Sequence, residues 1–548
     1  MRQIDRLTAE NFETPSLLLM EAAADATLRA IESQFSGEIA NKKARVLCGP
    51  GNNGGDGAVV ARALARAGVR TDVILFGHVE DTKGDAQVNF EIVRRLASFE
   101  AGSSKQPSPL SFIECASVSD WEEIARPRRT YDIMIDALFG TGLTRPLEGV
   151  FLQVIQHLAL IRAARDRSAR ARPLIVSIDV PSGVNADLAE RIGEAIQADL
   201  TVTLTAPKRA NVLPPASHLG GELVVADIGS PAALIEAAKP RLFLTEQADA
   251  REWLVKTRYR PDSYKQKHGH VLVIAGSRGY TGAAALCGNA AMRSGAGLVT
   301  IATPASAQGS VAAAAMPELM TTALAESDRG TVSDEATAHF LGLSAKATVV
   351  ALGPGLSAAD ERTRSFVESI VRQRTTPVVI DADGLNCLAP WPPELKGSEA
   401  YPLILTPHAG EMRRLIGLTG KSELTDRESV ARDFAMQHNL IMVLKGSRSV
   451  VAAPDGRVFV NPTGNAGLGT AGAGDTLTGI IAGFNAQAFA TLNEQADALS
   501  ATIAALYVGG LAGDLAAAEL GMRTMVASDI QEHLSHAVRS LDPEGEYP

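Results

Sequence analysis

The sequence predicts an α/β fold built on parallel β-sheets. Short apolar runs rich in β-branched residues alternate with Ala-rich stretches of helical length along the whole chain. Most of these runs end in Gly, Asp or Pro, which is typical of parallel strands connected by helices. A length of 548 residues, of which 46% are hydrophobic, is enough for more than one buried core. We therefore expect two domains, each a three-layer αβα sandwich.

Charge and cysteine content narrow the class of protein. The 52 Lys and Arg against 62 Asp and Glu give a formal net charge of −10, which argues against binding to nucleic acid or to an anionic membrane surface. The four cysteines lie far apart and form no CxxC pair, as expected in a reducing compartment. We find no secretory signal and no unbroken apolar run of about 18 residues. We expect a cytoplasmic protein, and the Ala- and Gly-rich composition suggests a homo-oligomer.

The strand pattern divides the chain into two parts. One strand series closes before the stretch from Gly229 to Pro240 and a second series starts after it, so we place the first domain at residues 1–238 and the second at residues 239–548. The five arginines between Arg162 and Arg172 have no aromatic residues among them and are interpreted as a solvated helix end, and residues 101–109 as a surface loop. Helices such as 58–67 fill most gaps between strands. The predicted strands are 45–48, 71–76, 133–136, 174–179, 200–205 and 222–226, then 270–275, 298–302, 348–352, 378–381, 403–406, 441–444 and 449–453.

The first motif is a glycine-rich loop, GPGNNGGDG at residues 49–57, between a predicted strand and an Ala-rich helix. Glycines allow the backbone to approach a phosphate, while exposed N–H groups and the helix dipole supply partial positive charge. The GxGxxG spacing alone is a weak signal. The next strand leads into Gly77 and His78 rather than into an acidic residue for a ribose, and Asn52, Asn53 and Asp56 crowd the loop with polar side chains. The loop therefore contacts more than phosphate.

Two later strands of the first part end in aspartate. Asp136 precedes a Gly-Thr-Gly turn and Asp179 precedes Val-Pro-Ser-Gly. The carboxyl ends of parallel strands share one edge of the sheet, so both aspartates and the glycine loop should converge there. Each aspartate alone could merely cap its turn. Their joint placement favours a site.

A second glycine loop, with GAGD at residues 472–475, opens an apolar helix in the second part. Backbone N–H groups from Gly472 to Asp475 would form an anion hole for a transferring phosphoryl group, and Asp475 would take a proton from the accepting hydroxyl. The chain contains no GxxxxGK[ST] loop. The polar or glycine-rich ends of other predicted strands should lie at the same edge of the sheet. Taken singly, His408 could be a structural residue, and Asp381 with Asp383 could cap a helix.

The first part resembles a known family on three motifs and a leading helix. GPGNNGGDG, DALFGTGLTRP at 136–146 and SIDVPSG at 177–183, together with LLLMEAA at 17–23, resemble the N-terminal epimerase domain of bifunctional NAD(P)H-hydrate repair enzymes, a Rossmann-like fold. The resemblance implies interconversion of R and S hydrated NAD(P)H, with potassium held by Asn53, Asp136 and Ser182, and with Asp179 catalytic. Oxygen donors of this kind suit a hard cation. The hydrated forms of NADH and NADPH are abbreviated NADHX and NADPHX, or NAD(P)HX together. The residues that the resemblance implies for NAD(P)HX binding are Asn52, Asn53, Gly54, Gly55, Asp56, Gly140, Thr141, Gly142, Leu143, Thr144, Arg145, Pro146 and Asp179.

The chemistry of the hydrate suits a carboxylate. The hydrated carbon bears a hydroxyl next to the ring nitrogen, so inversion proceeds by ring opening or by loss and return of water, and both routes need proton transfer. The sequence leaves these two routes open. Asp179 is our candidate for the proton-transfer group.

The second part resembles the ribokinase-like superfamily through GAGD. Together with GSRGYTGA, GPG, DADGLN, TPHAGE and LKG it is similar to the NAD(P)H-hydrate dehydratase branch, over roughly residues 245–540. The resemblance implies that ADP is converted to AMP and phosphate as the S form returns to NAD(P)H, with magnesium beside the nucleotide phosphates and Asp475 catalytic. It implies NAD(P)HX binding by Ala283, Gly355, His408 and Asp475, and nucleotide binding by Lys445, Gly446, Ser447, Arg448, Ser449 and Gly474.

Two other functions remain open on the sequence. A ribokinase-like small-molecule kinase with a regulatory first domain shares the GAGD loop, but the TPHAGE motif with His408 fits the dehydratase pattern better. A first domain that only senses nucleotides would retain the fold without the chemistry. The presence of Asp136, Asp179 and Ser182 together argues against that. The leading hypothesis is therefore a two-activity enzyme that consumes both NADHX and NADPHX.

Overall fold

The chain forms two compact units, Met1–Pro240 and Arg241–Pro548, in a computed structural model. The structure describes residues 2–103, 109–126, 130–167, 173–418, 424 and 426–544. Most of the loop predicted at 101–109 lies outside these residues, as do 168–172 of the arginine-rich segment. Within the described part, Ala101–Ser103 continue a helix rather than a loop, and Arg162 bonds Asp199 and the Gln197 carbonyl from a helix.

The first unit contains a seven-stranded, entirely parallel sheet, as the sequence predicted. Its order is β3-β2-β1-β4-β5-β8-β9, and β6 with β7 forms a separate small hairpin. The order reverses between β1 and β4, and the crevice at such a switch point is where ligands bind in open α/β sheets. The strands are β1 (Lys43–Cys48), β2 (Arg70–Leu75), β3 (Leu110–Glu114), β4 (Ile133–Ala137), β5 (Leu174–Ile178), β6 (Val184–Asn185), β7 (Glu190–Arg191), β8 (Leu200–Leu204) and β9 (Glu222–Ala226).

Apolar side chains cover both faces of this sheet. Val46 packs in one buried cluster with Leu64 and Phe90, whereas its neighbour Leu47 packs in another with Trp121. Successive residues of a strand point to opposite faces, so two covered faces require a three-layer sandwich. The helices are α1 (Arg2–Phe12), α2 (Ser16–Gln34), α3 (Asn52–Arg66), α4 (Gly84–Ser103), α5 (Val118–Ala125), α6 (Gly149–Arg167), α7 (Arg209–Val212) and α8 (Ala232–Ala237).

The second unit contains a ten-stranded mixed sheet of order β10-β19-β18-β17-β16-β15-β14-β11-β12-β13. Strand β18 is antiparallel to both neighbours, and every other pairing is parallel. The strand order reverses between β14 and β11. The strands are β10 (Leu242–Leu244), β11 (His270–Ile274), β12 (Leu298–Pro304), β13 (Met320–Leu324), β14 (Val349–Leu352), β15 (Val378–Ile380), β16 (Leu403–Leu405), β17 (Ile441–Leu444), β18 (Val450–Ala452) and β19 (Val458–Val460).

Small residues allow the central helices of the second unit to pack closely. An added Cβ on Gly479 would overlap the Cys287 carbonyl oxygen, and one on Gly483 would overlap the Ser294 hydroxyl. The helix at Ala498–Leu520 is long and apolar enough to span a membrane, but 67% of its apolar window is buried within this unit. The helices are α9 (Gln247–Lys256), α10 (Thr281–Arg293), α11 (Ala305–Ala314), α12 (Thr337–Ser344), α13 (Glu361–Arg372), α14 (Ala382–Cys387), α15 (Ala409–Leu415), α16 (Arg427–His438), α17 (Ala473–Thr491), α18 (Ala498–Leu520) and α19 (Ala527–Leu541).

The predicted parallel arrangement holds for both sheets except at β18, which is antiparallel to its two neighbours. Only the residues 445–449 connect β17 to β18, and so short a connection can close a hairpin but cannot cross over to a parallel strand. Strands β3, β6, β7, β10, β13 and β19 were not predicted. In β3 the sequence LSFIE interrupts its apolar pattern with Ser and Glu, and β10 and β19 have only three residues each.

Candidate active sites

The glycine loop of the first unit is held together by backbone contacts. An added Cβ on Gly49 would overlap the Leu138 carbonyl oxygen, and one on Gly54 would overlap the Gly49 carbonyl oxygen. Helix α3 begins at Asn52, six residues before the predicted start at 58, so Gly54 and Gly55 lie in its first turn. These glycines therefore allow close packing of the loop, in addition to any approach of a ligand.

We expect Gly54→Ala to destabilise the protein by about 2–4 kcal/mol, because the Gly49 carbonyl has to move to admit the methyl group. Gly51→Ala is the matched control. A Cβ on Gly51 meets nothing within 4 Å and its φ is −98°, so its cost should stay below about 1 kcal/mol. Calorimetric unfolding of the full chain compares the two variants, and equal losses would contradict the packing role of Gly54.

Three of the predicted site residues meet at Gly140. A Cβ added there would lie 3.2 Å from Asn53 Oδ1 and 3.3 Å from Asp179 Oδ2. The amide nitrogen Nδ2 of Asn53 is buried and has no hydrogen-bond partner in the described part of the chain. The glycine loop and the ends of β4 and β5 thus surround one small space, with an unsatisfied donor beside it.

Asp136 is fully buried at the end of β4. Its Oδ1 accepts hydrogen bonds from Ser182 Oγ at 2.6 Å and from the Leu138 N–H at 3.3 Å, and its Oδ2 from Ser177 Oγ at 2.8 Å and the Ser182 N–H at 2.9 Å. Burial raises the pKa of Asp136, and the hydrogen bonds from Ser182 and Ser177 oppose that rise. All four donors are neutral, so a nearby cation would stabilise the carboxylate further.

Asp179 has a strained backbone and a buried counter-ion. Its φ is +68°, a region that non-glycine residues rarely adopt, and hydrogen bonds from its N–H to Val202 and from Asn211 Nδ2 to its carbonyl fix that conformation. Lys208 Nζ forms an ion pair with Oδ1 and also donates to Leu204 O at 2.7 Å and Thr203 Oγ1 at 3.1 Å. Oδ1 is therefore occupied by protein groups, whereas Oδ2 faces Gly140.

Two further carboxylates lie near Asp179. Burial raises the pKa of Asp56 well above its ordinary value, and the charges of Asp179 and Asp5 raise it further. Burial likewise raises the pKa of Asp5, with the charge of Lys208 opposing the rise. Asp5 belongs to α1. The N-terminal helix thus contributes a side chain to the electrostatics of this site.

The predicted ligand-binding segment from Gly140 to Pro146 contains both buried and exposed side chains in the structure. Leu143 is 7% exposed and packs in a core cluster, so only its backbone is free to contact a ligand. Thr144 and Arg145 are exposed. Gly140 lies beside Asn53 Oδ1 and Asp179 Oδ2.

In the second unit, the GAGD loop begins helix α17. Gly472 has φ +85° at the N-cap, and a Cβ there would collide with Leu286 and Ala527. The N–H groups of Gly474 and Asp475 lie in the first turn, where helical N–H groups have no partner within the helix. Burial raises the pKa of Asp475 to about 7, with a further rise from the charge of Asp381.

An ion pair lies beside this helix start. Lys445 Nζ donates to Asp381 Oδ1 at 2.6 Å, and Thr478 Oγ1 donates to Asp381 Oδ2 at 2.7 Å. Lys445 Nζ lies 3.3 Å from the position of a Cβ on Gly474. Although burial lowers the pKa of Lys445, the charges of Asp381 and Glu411 raise it by more, so the amine stays protonated. Asp381 occupies the N-cap position of α14, but its side chain makes no cap hydrogen bond.

His408 caps α15 with its side chain. Nδ1 accepts hydrogen bonds from the N–H groups of Gly410 at 2.9 Å and Glu411 at 3.3 Å, which leaves Nε2 as the donor on an exposed ring edge. Glu411 is buried and accepts the His408 N–H at 2.8 Å; burial raises its pKa and the charge of Lys445 opposes the rise. The cap therefore fixes the imidazole orientation.

The other predicted residues of this unit fall into two groups. Gly355 has φ +66°, and a Cβ there would lie 3.1 Å from Ala283 Cβ, so these two residues are adjacent. Residues Gly446 to Ser449 form the turn between β17 and β18, where Arg427 donates to Ser447 O at 2.8 Å and Leu444 O at 3.0 Å. Lys445 belongs to the same predicted nucleotide-binding segment, and its side chain reaches Asp381 and the start of α17.

Comparison with known proteins identifies the family. The family model described as NAD(P)H-hydrate dehydratase matches residues 271–536, and the one described as YjeF-related protein N-terminus matches residues 16–210. The bifunctional NAD(P)H-hydrate repair enzyme Nnr of Moorella thermoacetica is 38% identical over 100% of this chain and 97% of its own length. The chain belongs to the bifunctional NAD(P)H-hydrate repair enzymes.

Other similar proteins of this repair-enzyme family span most of the chain. The Escherichia coli repair enzyme Nnr is 33% identical over 90% of this chain and 84% of its own length. Among solved structures, an ADP/ATP-dependent NAD(P)H-hydrate dehydratase from Bacillus subtilis, co-crystallised with ATP and Mg²⁺ and soaked with CoA, is 27% identical over 55% of this chain and 100% of its own, with a TM-score of 0.45.

Sequence reasoning missed several residues of the two sites in this repair enzyme. Lys208 follows the end of β8 by four residues, and its position after a predicted strand end could have identified it. Glu411 lies within the TPHAGE motif and Thr478 follows GAGD by three residues, but the burial of Glu411 and the contact of Thr478 with Asp381 depend on tertiary packing. Asp5 lies in α1, ahead of the helix that carries LLLMEAA, and no motif marks it.

Proposed function

We propose that the second unit dehydrates the S form of hydrated NADH and NADPH with ADP, releasing AMP and phosphate, and that the first unit interconverts the R and S forms. Family membership supports both activities, because the repair enzymes named in the comparison match 90% and 100% of the chain and so span both units. The observation that carries the proposal is the pairing of a helix N-terminus with Asp475, whose raised pKa of about 7 suits a base at neutral pH. The two activities together consume both epimers.

Dehydration begins with transfer of a phosphoryl group. Asp475 removes the proton from the hydroxyl of the hydrated ring as that oxygen attacks the terminal phosphorus of ADP, and the bond to AMP breaks. The N–H groups of Gly474 and Asp475 and the ammonium of Lys445 stabilise the negative charge on the phosphoryl oxygens. Hydroxide is a poor leaving group, and this step converts it into phosphate.

Loss of phosphate completes the reaction. The lone pair of the ring nitrogen expels the phosphate with its bonding electrons, and a proton leaves the neighbouring carbon as the double bond reforms. The product is NAD(P)H. His408, whose exposed imidazole is oriented by its two backbone hydrogen bonds and has Nε2 3.5 Å from Glu411 Oε1, is placed to donate a hydrogen bond to the substrate.

Epimerisation uses the carboxylate of Asp179. Lys208 holds Oδ1, so Oδ2 beside Gly140 and Asn53 is the oxygen available to the substrate. Ring opening begins when the hydroxyl on the hydrated carbon loses its proton, and loss of water begins when that hydroxyl gains one. Asp179 accepts the proton as a carboxylate in the first route and would donate it as the protonated acid in the second. The unsatisfied Nδ2 of Asn53 is available to donate a hydrogen bond to the bound hydrate.

Two ions accompany these activities in our proposal. Asp136 and Ser182 fit potassium, because their carboxylate and hydroxyl are oxygen ligands and the carboxylate has only neutral partners, and the amide oxygen of Asn53 beside Gly140 would be a third ligand. Potassium would supply charge stabilisation there. For magnesium, the described residues include no group of three or more acidic, His or Cys side chains arranged to hold a metal ion, and we propose that its ligands come chiefly from the nucleotide phosphates.

One assay tests both activities. The protein is mixed with a racemic hydrate and ADP in potassium chloride, and the return of reduced-nicotinamide absorbance is followed. We expect recovery of the whole hydrate pool, and recovery of only the S fraction at the enzymatic rate when tetramethylammonium replaces potassium. No recovery with ADP or ATP would overturn the dehydratase proposal, and a phosphorylated hydrate as the end product would indicate a kinase.

The cellular location and the oligomeric state of the protein are also part of our proposal. The four cysteines are buried and unpaired, which supports a reducing, cytoplasmic setting. Self-association into a homo-oligomer stays a prediction from composition.

A further inference from the structure

A groove in the second unit extends from the proposed dehydratase site. It has a volume of about 900 Å³, within the range of small-molecule sites, and its lining includes Tyr280, Asp383, Arg364 and Arg414. The Tyr280 carbonyl lies 2.9 Å from the position of a Cβ on Gly355, so the groove begins next to a residue expected to contact the hydrate. None of the residues 445–449 lines it.

Arg414 connects the groove to the reacting end of the site. A Cβ on Gly410 would lie 2.7 Å from the His408 ring and 3.9 Å from Arg414 Nη1, so the imidazole and the guanidinium flank the same short segment. Arg414 is exposed and follows His408 by less than two helical turns on α15. A ligand whose reacting ring contacts His408 can therefore extend to Arg414.

Both arginines are positioned by neutral acceptors. Arg414 Nε donates to Asn386 Oδ1 at 2.8 Å, and Arg364 Nη1 donates to the carbonyl oxygens of Asn386 and Cys387 at 3.2 and 3.3 Å. These bonds orient the guanidinium groups without neutralising them. Glu361, which lies 3.8 Å from Arg364, is 91% exposed, and such a pair is worth little.

Among the described residues that line the groove, Asp383 is the one acidic side chain, and other groups hold it. Asp383 Oδ2 accepts the Ser357 N–H at 2.9 Å, and Oδ1 accepts Asn386 Nδ2 at 3.2 Å. The lining therefore presents two oriented guanidinium groups against one carboxylate that is already hydrogen-bonded. Planar guanidinium groups bind phosphate oxygens in a bidentate manner, which makes this lining suited to a phosphate ester.

We infer that this groove binds the pyrophosphate of the hydrated dinucleotide through Arg414 and Arg364, and that Tyr280, 62% exposed at its rim, stacks on the adenine. The inference rests on the proposed dehydratase function. A dinucleotide carries its pyrophosphate and adenosine well away from the reacting ring, so it needs an extended anionic subsite next to the catalytic end. ADP would then occupy the opposite side, near Lys445.

The test compares Arg414→Gln and Arg364→Gln with Arg362→Gln in the full chain. Arg362 lies on the same helix as Arg364 but bonds Asp334 and Glu335 on the surface, so it is a matched control. We expect Arg414→Gln to raise the KM for both NADHX and NADPHX by roughly 10- to 100-fold, the loss of one charged hydrogen-bonding group, with kcat and the KM for ADP unchanged within about twofold. ADP-ribose should inhibit the wild-type dehydratase competitively against the hydrate and inhibit Arg414→Gln weakly.

Each other outcome overturns the assignment. An unchanged KM for the hydrate in both groove variants excludes the groove, a raised KM for ADP assigns it to the co-substrate, and a raised KM for NADPHX alone assigns it to the 2′-phosphate. If the wild-type chain does not dehydrate the hydrate, the proposed function fails, and calorimetric titration with ADP-ribose still tests the groove. Its stoichiometry should fall by one site in Arg414→Gln and stay unchanged in Arg362→Gln.

Discussion

Asp475→Asn should lower the dehydratase kcat about 1,000-fold while leaving epimer exchange at the wild-type rate. A general base contributes roughly 100- to 10,000-fold, and asparagine has the same shape as aspartate but cannot accept the hydroxyl proton. Epimer exchange depends on the first unit and its Asp179. The return of absorbance at saturating ADP measures the first activity, and chromatographic separation of R and S hydrates measures the second. Loss of both would indicate a folding defect instead.

The pH dependence of the wild-type enzyme gives a second reading of the same residue. With a pKa of about 7, Asp475 is protonated in acid and cannot act as a base, so kcat/KM for dehydration should rise with pH and level off above neutrality. Asp455→Asn is the control, because Asp455 is an exposed partner of Arg457 far from this chemistry. A profile that is flat from pH 6 to pH 8 would contradict the assignment of Asp475 as the base.

The Asp475→Asn substitution should also change the thermal stability of the protein, in a direction set by the raised pKa of Asp475. The pKa of Asp475 is higher in the folded state than in the unfolded chain, so the folded protein retains a proton that the unfolded chain releases. That contribution is present in acid and is lost as pH rises through 7. Above pH 7 the buried charge destabilises the wild type, and Asp475→Asn should raise Tm there by about 2–5 °C, with a smaller difference at pH 5.5.

The sequence predicted those parts of the sites that lie where a strand ends. Asp136 and Asp179 could be placed on one sheet edge because β4 and β5 are short apolar runs that end in aspartate, and parallel strands bring such ends together. The start of α3 could not be placed correctly. Glycines are poor helix formers, so nothing in the sequence favoured extending the helix over Gly54 and Gly55. Both are helical here, and their neighbours leave no room for a larger side chain.

Partners of the predicted residues were harder to foresee. That Lys208 pairs with Asp179, and Lys445 with Asp381, depends on which strands are neighbours, and strand order is not written in any single motif. The antiparallel β18 shows the same limit, because its apolar pattern is that of a parallel strand and only the short connection to β17 distinguishes it. Local patterns therefore predicted the catalytic candidates but not their counter-ions.

Asp179→Asn should lower the rate of epimer exchange about 1,000-fold, after subtraction of the rate without protein, and should leave the dehydration of pure S hydrate unchanged. Oδ2 of Asp179 is the oxygen that faces Gly140 and Asn53, and asparagine preserves that position while removing the basic oxygen. Asparagine also tolerates a positive φ better than other residues, so the conformation at +68° should survive the change.

The control for this variant is Asp227→Asn, which changes an exposed aspartate that follows β9 and accepts the Gly229 N–H. It should exchange epimers at the wild-type rate. Because Lys208 remains buried in Asp179→Asn with Leu204 O and Thr203 Oγ1 as acceptors, some loss of stability is expected, and Lys208→Met in addition should restore it without restoring exchange. If Asp179→Asn exchanges epimers normally, the first unit has a binding or sensing role, and the fused repair activity would then depend on uncatalysed exchange of the R form.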